Sequence, residues 1–97
     1  MIRHMVMFRW TEDATEEQKQ RVAAELARLP SLVTSLRAFA FGTDVGVNQG
    51  NFEFGVAADF DDVDGYLAYR DHPEHQKMVE KFIRPIAAQR AAVQYEF

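Results

Sequence analysis

The chain opens with the run IRHMVMFRW (residues 2–10), in which alternate residues share one face. One face carries Ile2, His4, Val6, Phe8 and Trp10, and the other carries Arg3, Met5, Met7 and Arg9. A period of two, with many β-branched and aromatic residues, is typical of a β-strand. The two methionines between arginines indicate that the second face of this strand is not simply solvent-facing.

Outward from this strand, the patterns predict an alternation of helices and strands. Thr15 caps a helix, because Gln18 stands at the reciprocal position of a capping box. The helix runs to about Leu29 and is ended by Pro30 and Ser31. The other expected elements are strands over 36–41, 52–60 and 91–97, a short helix capped by Asp61 or Asp62 and running to Tyr69, and a helix over 73–83. The order β-α-β-β-α-β predicts one α+β domain over residues 1–97, a ferredoxin-like fold with a four-stranded antiparallel sheet and helices on one face.

The uncovered face of this sheet is expected to be apolar. It should carry some combination of Met5, Met7, Phe39 and Phe41. An exposed apolar face marks an interface, so the sequence predicts a two-fold homodimer in which two sheets pack face to face. A substitution such as Met7→Asp or Phe41→Asp is then expected to separate the protomers.

Composition narrows the classes of partner. The 97 residues carry a net charge of −4 and include no cysteine. Without a basic patch, neither nucleic acid nor an anionic membrane is an expected partner. The first residues follow the strand pattern and not that of a signal peptide, and no apolar run approaches membrane-spanning length, so a cytoplasmic location is expected.

The segment YRDHPEH (residues 69–75) is the strongest candidate for chemistry. Pro73 breaks the helical pattern there, and His75 then leads an apolar stripe with Val79 and Phe82. Burial lowers the pKa of such a histidine, and a neutral imidazole is a competent general base. With Tyr69 in reach to polarise a carbonyl group, the pair could remove an acidic proton between two carbonyls.

Together with the order of elements, the His-Pro-x-His run at 72–75 and the opening residues 2–8 resemble the stress-responsive dimeric α/β-barrel family, over nearly the whole chain. This resemblance implies a homodimer whose sheets close into a barrel. It also implies a hydrophobic pocket and, in a plant polyketide cyclase of the family, an aldol-type ring closure that uses neither cofactor nor metal. Carried over, the cyclase's general base falls on His75, its tyrosine on Tyr69 and its first-strand histidine on His4. A further pocket histidine of the cyclase falls on Phe54, so the pocket should be less polar here.

The ligand is expected to be small, hydrophobic and carbonyl-bearing. The side chains expected to line its pocket are Val6, Phe8, Phe54, Val79 and Phe82. Large aromatic side chains could instead fill this space, and then no ligand would fit.

Other interpretations of the same residues stay open. His75 could bond a backbone carbonyl or His4 and only hold the helix break. The three imidazoles of His4, His72 and His75 could bind zinc, but the helix break separates the last two, and no metal is expected. A non-enzymatic oligomerising stress protein is the second hypothesis for function, and a cofactor-free monooxygenase is the third.

Overall fold

Four strands form one antiparallel sheet in the computed structural model, which describes all residues 1–97. In chain order the elements are β1 (Ile2–Trp10), α1 (Glu16–Leu26), α2 (Leu29–Leu32), β2 (Ala38–Thr43), β3 (Phe54–Phe60), α3 (Val63–Arg70), α4 (Pro73–Met78) running directly into a π-helical turn (Val79–Ile83), and β4 (Ala87–Glu96). The strand order across the sheet is β2-β3-β1-β4. This order, with the helices packed on one face, confirms the ferredoxin-like α+β fold. None of the helices has the length and apolar character needed to cross a membrane.

The inner face of the sheet, which the helices cover, follows the alternation predicted for β1. Its side chains Ile2, His4, Val6, Phe8 and Trp10 are all buried. β3 pairs with β1 so that Val6 lies opposite Val56 and Phe8 opposite Phe54. Residues directly opposite each other in a sheet share a face, so β3 adds Phe54, Val56, Ala58 and Phe60 to the same core.

The assignment of Phe39 and Phe41 to the bare face was wrong. Phe39 lies opposite Ala58 and Phe41 opposite Val56, so both point to the inner face. There they are half-buried against the core, and the Phe41 ring stacks on Phe54 at a centroid distance of 6.2 Å. The substitution Phe41→Asp would therefore disrupt the core of one protomer, and it cannot test an interface on the other face.

The outer face of the sheet, opposite the helices, is apolar at its centre. Met5 and Met7 are 40% and 43% exposed, and Val93, which lies opposite Met5 on β4, is 54% exposed. Alanine and glycine of the neighbouring strand complete this patch, since Ala57 pairs with Met5 and Gly55 with Met7. The methionine half of the prediction for this face is thus correct.

The helix starts follow the predicted capping chemistry. The Gln18 backbone N–H donates to Thr15 Oγ1 at 3.1 Å, and the Thr15 N–H donates to Gln18 Oε1 at 2.9 Å. Asp62, and not Asp61, caps α3, because its Oδ1 accepts the Gly65 N–H at 2.8 Å. These bonds satisfy backbone donors that the first helical turn leaves unpaired.

Several element boundaries differ from the prediction. α1 ends at Leu26, and Pro30 lies in the first turn of α2, where proline costs no hydrogen bond. β3 begins at Phe54 and β2 at Ala38, each two residues later than expected. β4 begins at Ala87, four residues earlier than expected, and this places Arg90 inside the strand.

Candidate functional site

A cavity of about 410 Å³ lies between the inner face of β1 and the helical segments that follow α3. Sixteen residues line it, ten of them hydrophobic, and small-molecule sites of this size and composition are common. Of the eight predicted site residues, the structure brings six together here: His4, Val6, Phe8, Tyr69, His75 and Val79.

Phe54 and Phe82 do not line this cavity, contrary to the prediction. Phe54 is packed between Trp10 and Phe41, at ring-centroid distances of 5.7 Å and 6.2 Å. Phe82 is half-buried at the edge of the core, where the guanidinium group of Arg21 stands 5.1 Å from its ring centre. The aromatic bulk of these two side chains therefore fills other spaces and leaves the cavity open.

The displacement of Phe82 has a cause in the backbone. The Arg84 N–H donates to the Val79 carbonyl, five residues back, at 2.9 Å, so the segment after Met78 is a π-helical turn. A π-turn contains more residues than an α-turn, and side chains beyond it are rotated out of the α-helical phase. Val79 keeps its place in line with His75, whereas Phe82, one turn later, loses it.

His75 is fixed by the end of the preceding helix. Its Nδ1 lies 3.1 Å from the carbonyl oxygen of Arg70, which also accepts the side-chain amide of Gln76 at 2.6 Å. A carbonyl oxygen only accepts hydrogen bonds, so Nδ1 carries the proton and Nε2 keeps a free lone pair. Burial lowers the pKa of His75, although the bond to the Arg70 carbonyl opposes this. At neutral pH the ring is therefore an uncharged base.

His4 offers the cavity a hydrogen-bond donor, whereas His75 offers an acceptor. The side-chain amide of Gln94, directly opposite on β4, donates to His4 Nδ1 at 2.8 Å. The proton of the neutral ring then sits on Nε2, which makes Nε2–H a donor toward the cavity. Burial, reinforced by the charge of Arg90 and by His75, lowers the pKa of His4 to about 4. This histidine stays neutral throughout the physiological pH range.

The ring of Tyr69 lies close to both histidine rings. Its ring lies 4.3 Å from that of His75 and 6.1 Å from that of His4, centre to centre. Burial, with Tyr66 beside it, raises the pKa of Tyr69, so its hydroxyl is a proton donor at neutral pH. The hydroxyl has no partner within the chain, and Ser35 Oγ is the only fully buried side-chain polar atom without one. The Tyr69 hydroxyl therefore remains accessible from the cavity.

His72 has a structural role. Its Nδ1 accepts the Glu74 N–H at 3.1 Å, so its side chain caps α4. It does not line the cavity. No three side chains of metal-binding type lie close enough together to hold an ion.

Sequence reasoning missed several polar residues of the cavity. They are Tyr66, Arg70, Gln76, Arg84 and Arg90. Tyr66 could have been found, since it precedes Tyr69 by three residues on the same helix and its ring lies 5.0 Å from His4. Arg90 could not, because the last strand was expected to start after it.

By its order of elements and strands, the chain belongs to the class of ferredoxin-like α+β domains. Within that class, the chain belongs to the stress-responsive A/B barrel domain family, whose model matches residues 2–97. The resemblance seen in the sequence is thereby confirmed. A comparison with curated proteins gave no match.

Several solved protein structures are similar to this chain over nearly its whole length. A dimeric ferredoxin-like protein of unknown function from Thermobifida fusca is 42% identical, with a TM-score of 0.92 over 99% of this chain and 90% of that one. A second dimeric protein of unknown function, from Bacteroides fragilis, is 28% identical, with a TM-score of 0.82 over 99% and 95%. A hydroxynitrile lyase from Passiflora edulis is 19% identical, with a TM-score of 0.85 over 97% and 90%, and shows the fold alone.

Proposed function

We propose that the protein is a homodimeric α/β barrel that binds a small, hydrophobic, carbonyl-bearing molecule and moves a proton within it, in the manner of the aldol-type polyketide cyclases. His75 is the general base, and Tyr69 and His4 are hydrogen-bond donors to the substrate. One observation carries the proposal. The Arg70 carbonyl holds the proton of His75 on Nδ1, which leaves the lone pair of Nε2 free on a ring that lines the cavity.

The reaction follows from these three groups. Nε2 of His75 takes a proton from a carbon next to a carbonyl, and the C–H electrons move into an enolate. The enolate carbon then attacks a second carbonyl of the same molecule, which forms a C–C bond and an alkoxide. The alkoxide takes back the proton from His75. Donors from Tyr69 and His4 would stabilise the oxygen on which negative charge develops, as oxyanion donors do in acyl transfer.

The state of the site at neutral pH supports this assignment. Both imidazoles are uncharged and Tyr69 is protonated, because burial disfavours the charged form of each group. Base and donors are thus in the required form together, without any group having to change its protonation state before the substrate binds.

The dimer is supported by the apolar outer face. Met5, Met7 and Val93 stand exposed on it, and only 18 of the 97 residues are buried in one protomer, although 47% of the chain is hydrophobic. A second copy packed on this face would cover the exposed methionines. The 42% identical structure from Thermobifida fusca is described as dimeric.

A non-enzymatic oligomerising protein is the second candidate. The same apolar face supports it, because that face would serve assembly whether or not the cavity performs chemistry. Polar residues at the helix break would then serve only the fold.

Proton exchange separates the two candidates. We expect the wild-type protein to catalyse deuterium incorporation at the activated methylene of ethyl benzoylacetate in D₂O, measured by proton NMR above the buffer rate. His75→Gln should lower the protein-catalysed rate by about 100-fold, within the usual range for loss of a general base. Glutamine can still donate to the Arg70 carbonyl, but it has no basic nitrogen.

The matched control is His72→Asn. It also removes one imidazole, but it keeps a residue that caps helices well and it lies outside the cavity. Its exchange rate should equal that of the wild type. An unchanged rate in His75→Gln would contradict the assignment of the base, and a wild-type rate at the buffer level would favour the non-enzymatic candidate.

A further inference from the structure

The charged side chains that line the cavity are all positive. The chain has 15 acidic and 11 basic residues, yet the cavity lining contains three arginines and neither aspartate nor glutamate. The two histidines of the lining are neutral at pH 7, so the arginines set the charge of the site. A cavity of this kind in an acidic protein favours an anionic ligand.

Two of the three arginines already have anionic partners. Arg70 bonds the carboxylate of Asp71 at 2.8 Å, and Arg84 bonds that of Glu80 at 2.7 Å. Arg90 forms neither a salt bridge nor a side-chain hydrogen bond within the chain. Its guanidinium group therefore has all five N–H donors available.

The register of the sheet directs Arg90 to the cavity. It lies opposite Phe8 on β4, so it shares the inner face with Phe8 and with Gln94, the hydrogen-bond partner of His4. Arg90 is exposed to solvent and also lines the cavity, which places it at the open side. Its charge acts on both His4 and His75, which line the same cavity, and lowers the pKa of each.

We propose that Arg90 is a specificity-determining residue that makes this cavity selective for ligands carrying a carboxylate. The carboxylate binds the guanidinium at the rim, and the apolar part of the molecule packs inward against Val6, Phe8 and Val79. A planar guanidinium fork matches the two oxygens of a carboxylate.

This inference rests on the proposed function, since it names the substrate class for the same site. The positive charge of Arg90 would also favour the proposed proton transfer. Removing a proton from a molecule that is already anionic adds a second negative charge, and the positive charge of Arg90 would offset that cost.

Binding of a matched pair of ligands tests the proposal. 4-Hydroxybenzoate and 4-hydroxybenzamide have nearly the same shape, but only the first is anionic at pH 7. By titration calorimetry, we expect the wild-type protein to bind the benzoate about tenfold more tightly or better, as is usual for a charge-assisted hydrogen-bond pair. Arg90→Gln should abolish this preference and leave the affinity for the amide unchanged, and Arg90→Lys should retain part of it.

Arg37→Gln is the control for a general change in charge, because Arg37 pairs with Asp61 on the surface away from the cavity. It should keep the full preference. Equal affinity of the wild type for both compounds, absence of binding by either, or a preference that survives in Arg90→Gln would each overturn the proposal. The readout does not require turnover, so loss of proton exchange in the previous experiment and loss of anion preference here are separate results.

Discussion

Met7→Asp is expected to turn the proposed dimer into a monomer and to lower the melting temperature at the same time. Met7 lies at the centre of the outer face, between Gly55 on β3 and Ala91 on β4. Neither cross-strand neighbour offers a partner for a carboxylate, and the guanidinium of Arg9 on the same face already bonds Gln89 and the Gly50 carbonyl. An unpaired charge in a buried interface costs about 3–5 kcal/mol, and two-fold symmetry would bury two of them, so the dissociation constant should rise by about ten-thousandfold or more.

Light scattering across a dilution series, with thermal unfolding at matched protomer concentrations, checks this result. Val63→Asp is the matched control, since Val63 is also exposed, at 55%, but begins α3 in the helical layer, where a negative charge is favourable. It should remain dimeric. If the wild type is a monomer at all concentrations, or if Met7→Asp stays a dimer, the interface on the outer face is wrong.

The second large effect is the acid sensitivity that His4 gives to the fold. Its pKa is 6.5 as an ordinary histidine and about 4 in the folded protein. Between these values the unfolded chain binds a proton at His4 and the folded chain does not, so this contribution to stability is complete above pH 6.5 and is lost as the pH falls toward 4. The size of the loss is about 3 kcal/mol, from 1.36 kcal/mol per pKa unit.

Urea unfolding between pH 7.5 and 4.5, at a fixed protomer concentration, isolates this effect. The variant His4→Gln has no titrating group at this position, so its stability should fall less steeply with acid than that of the wild type. At pH 7 the variant should be the less stable protein, since it loses the ring that packs against Tyr66. Parallel pH profiles for the two proteins would contradict a buried, neutral His4.

The strands and faces that could be read from the sequence are those with one unambiguous pattern. β1 alternates large apolar residues with arginine and methionine, and its burial follows that alternation. β2 has apolar residues on both faces, phenylalanines on one and alanines on the other, so its own pattern does not say which face turns inward. Only its pairing with β3 decides this, and that pairing is a long-range property.

Some residues of the candidate site could likewise be predicted from the sequence, and others could not. His75, Tyr69 and His4 could be predicted because each stands at a marked place, a helix break or an alternating strand. Phe82 could not be placed, since its phase depends on one π-helical turn that an α-helical period does not include. Arg90 was missed because the first four residues of β4, AAQR, lack the alternation of apolar and polar residues that marks a strand in the sequence.

The proposed chemistry requires His75 to be a neutral imidazole with its proton on Nδ1 and a free lone pair on Nε2. Long-range proton–nitrogen NMR of the ¹⁵N-labelled protein, assigned with His75→Gln, reads the tautomer and the pKa of this ring directly. The structure predicts a protonated Nδ1 and an unprotonated Nε2 at pH 7, a pKa below 6.5, and a shift of the Nε2 resonance on addition of 4-hydroxybenzoate. A ring protonated at pH 7, or one with its single proton on Nε2, would contradict this assignment and remove the base on which the proposed chemistry depends.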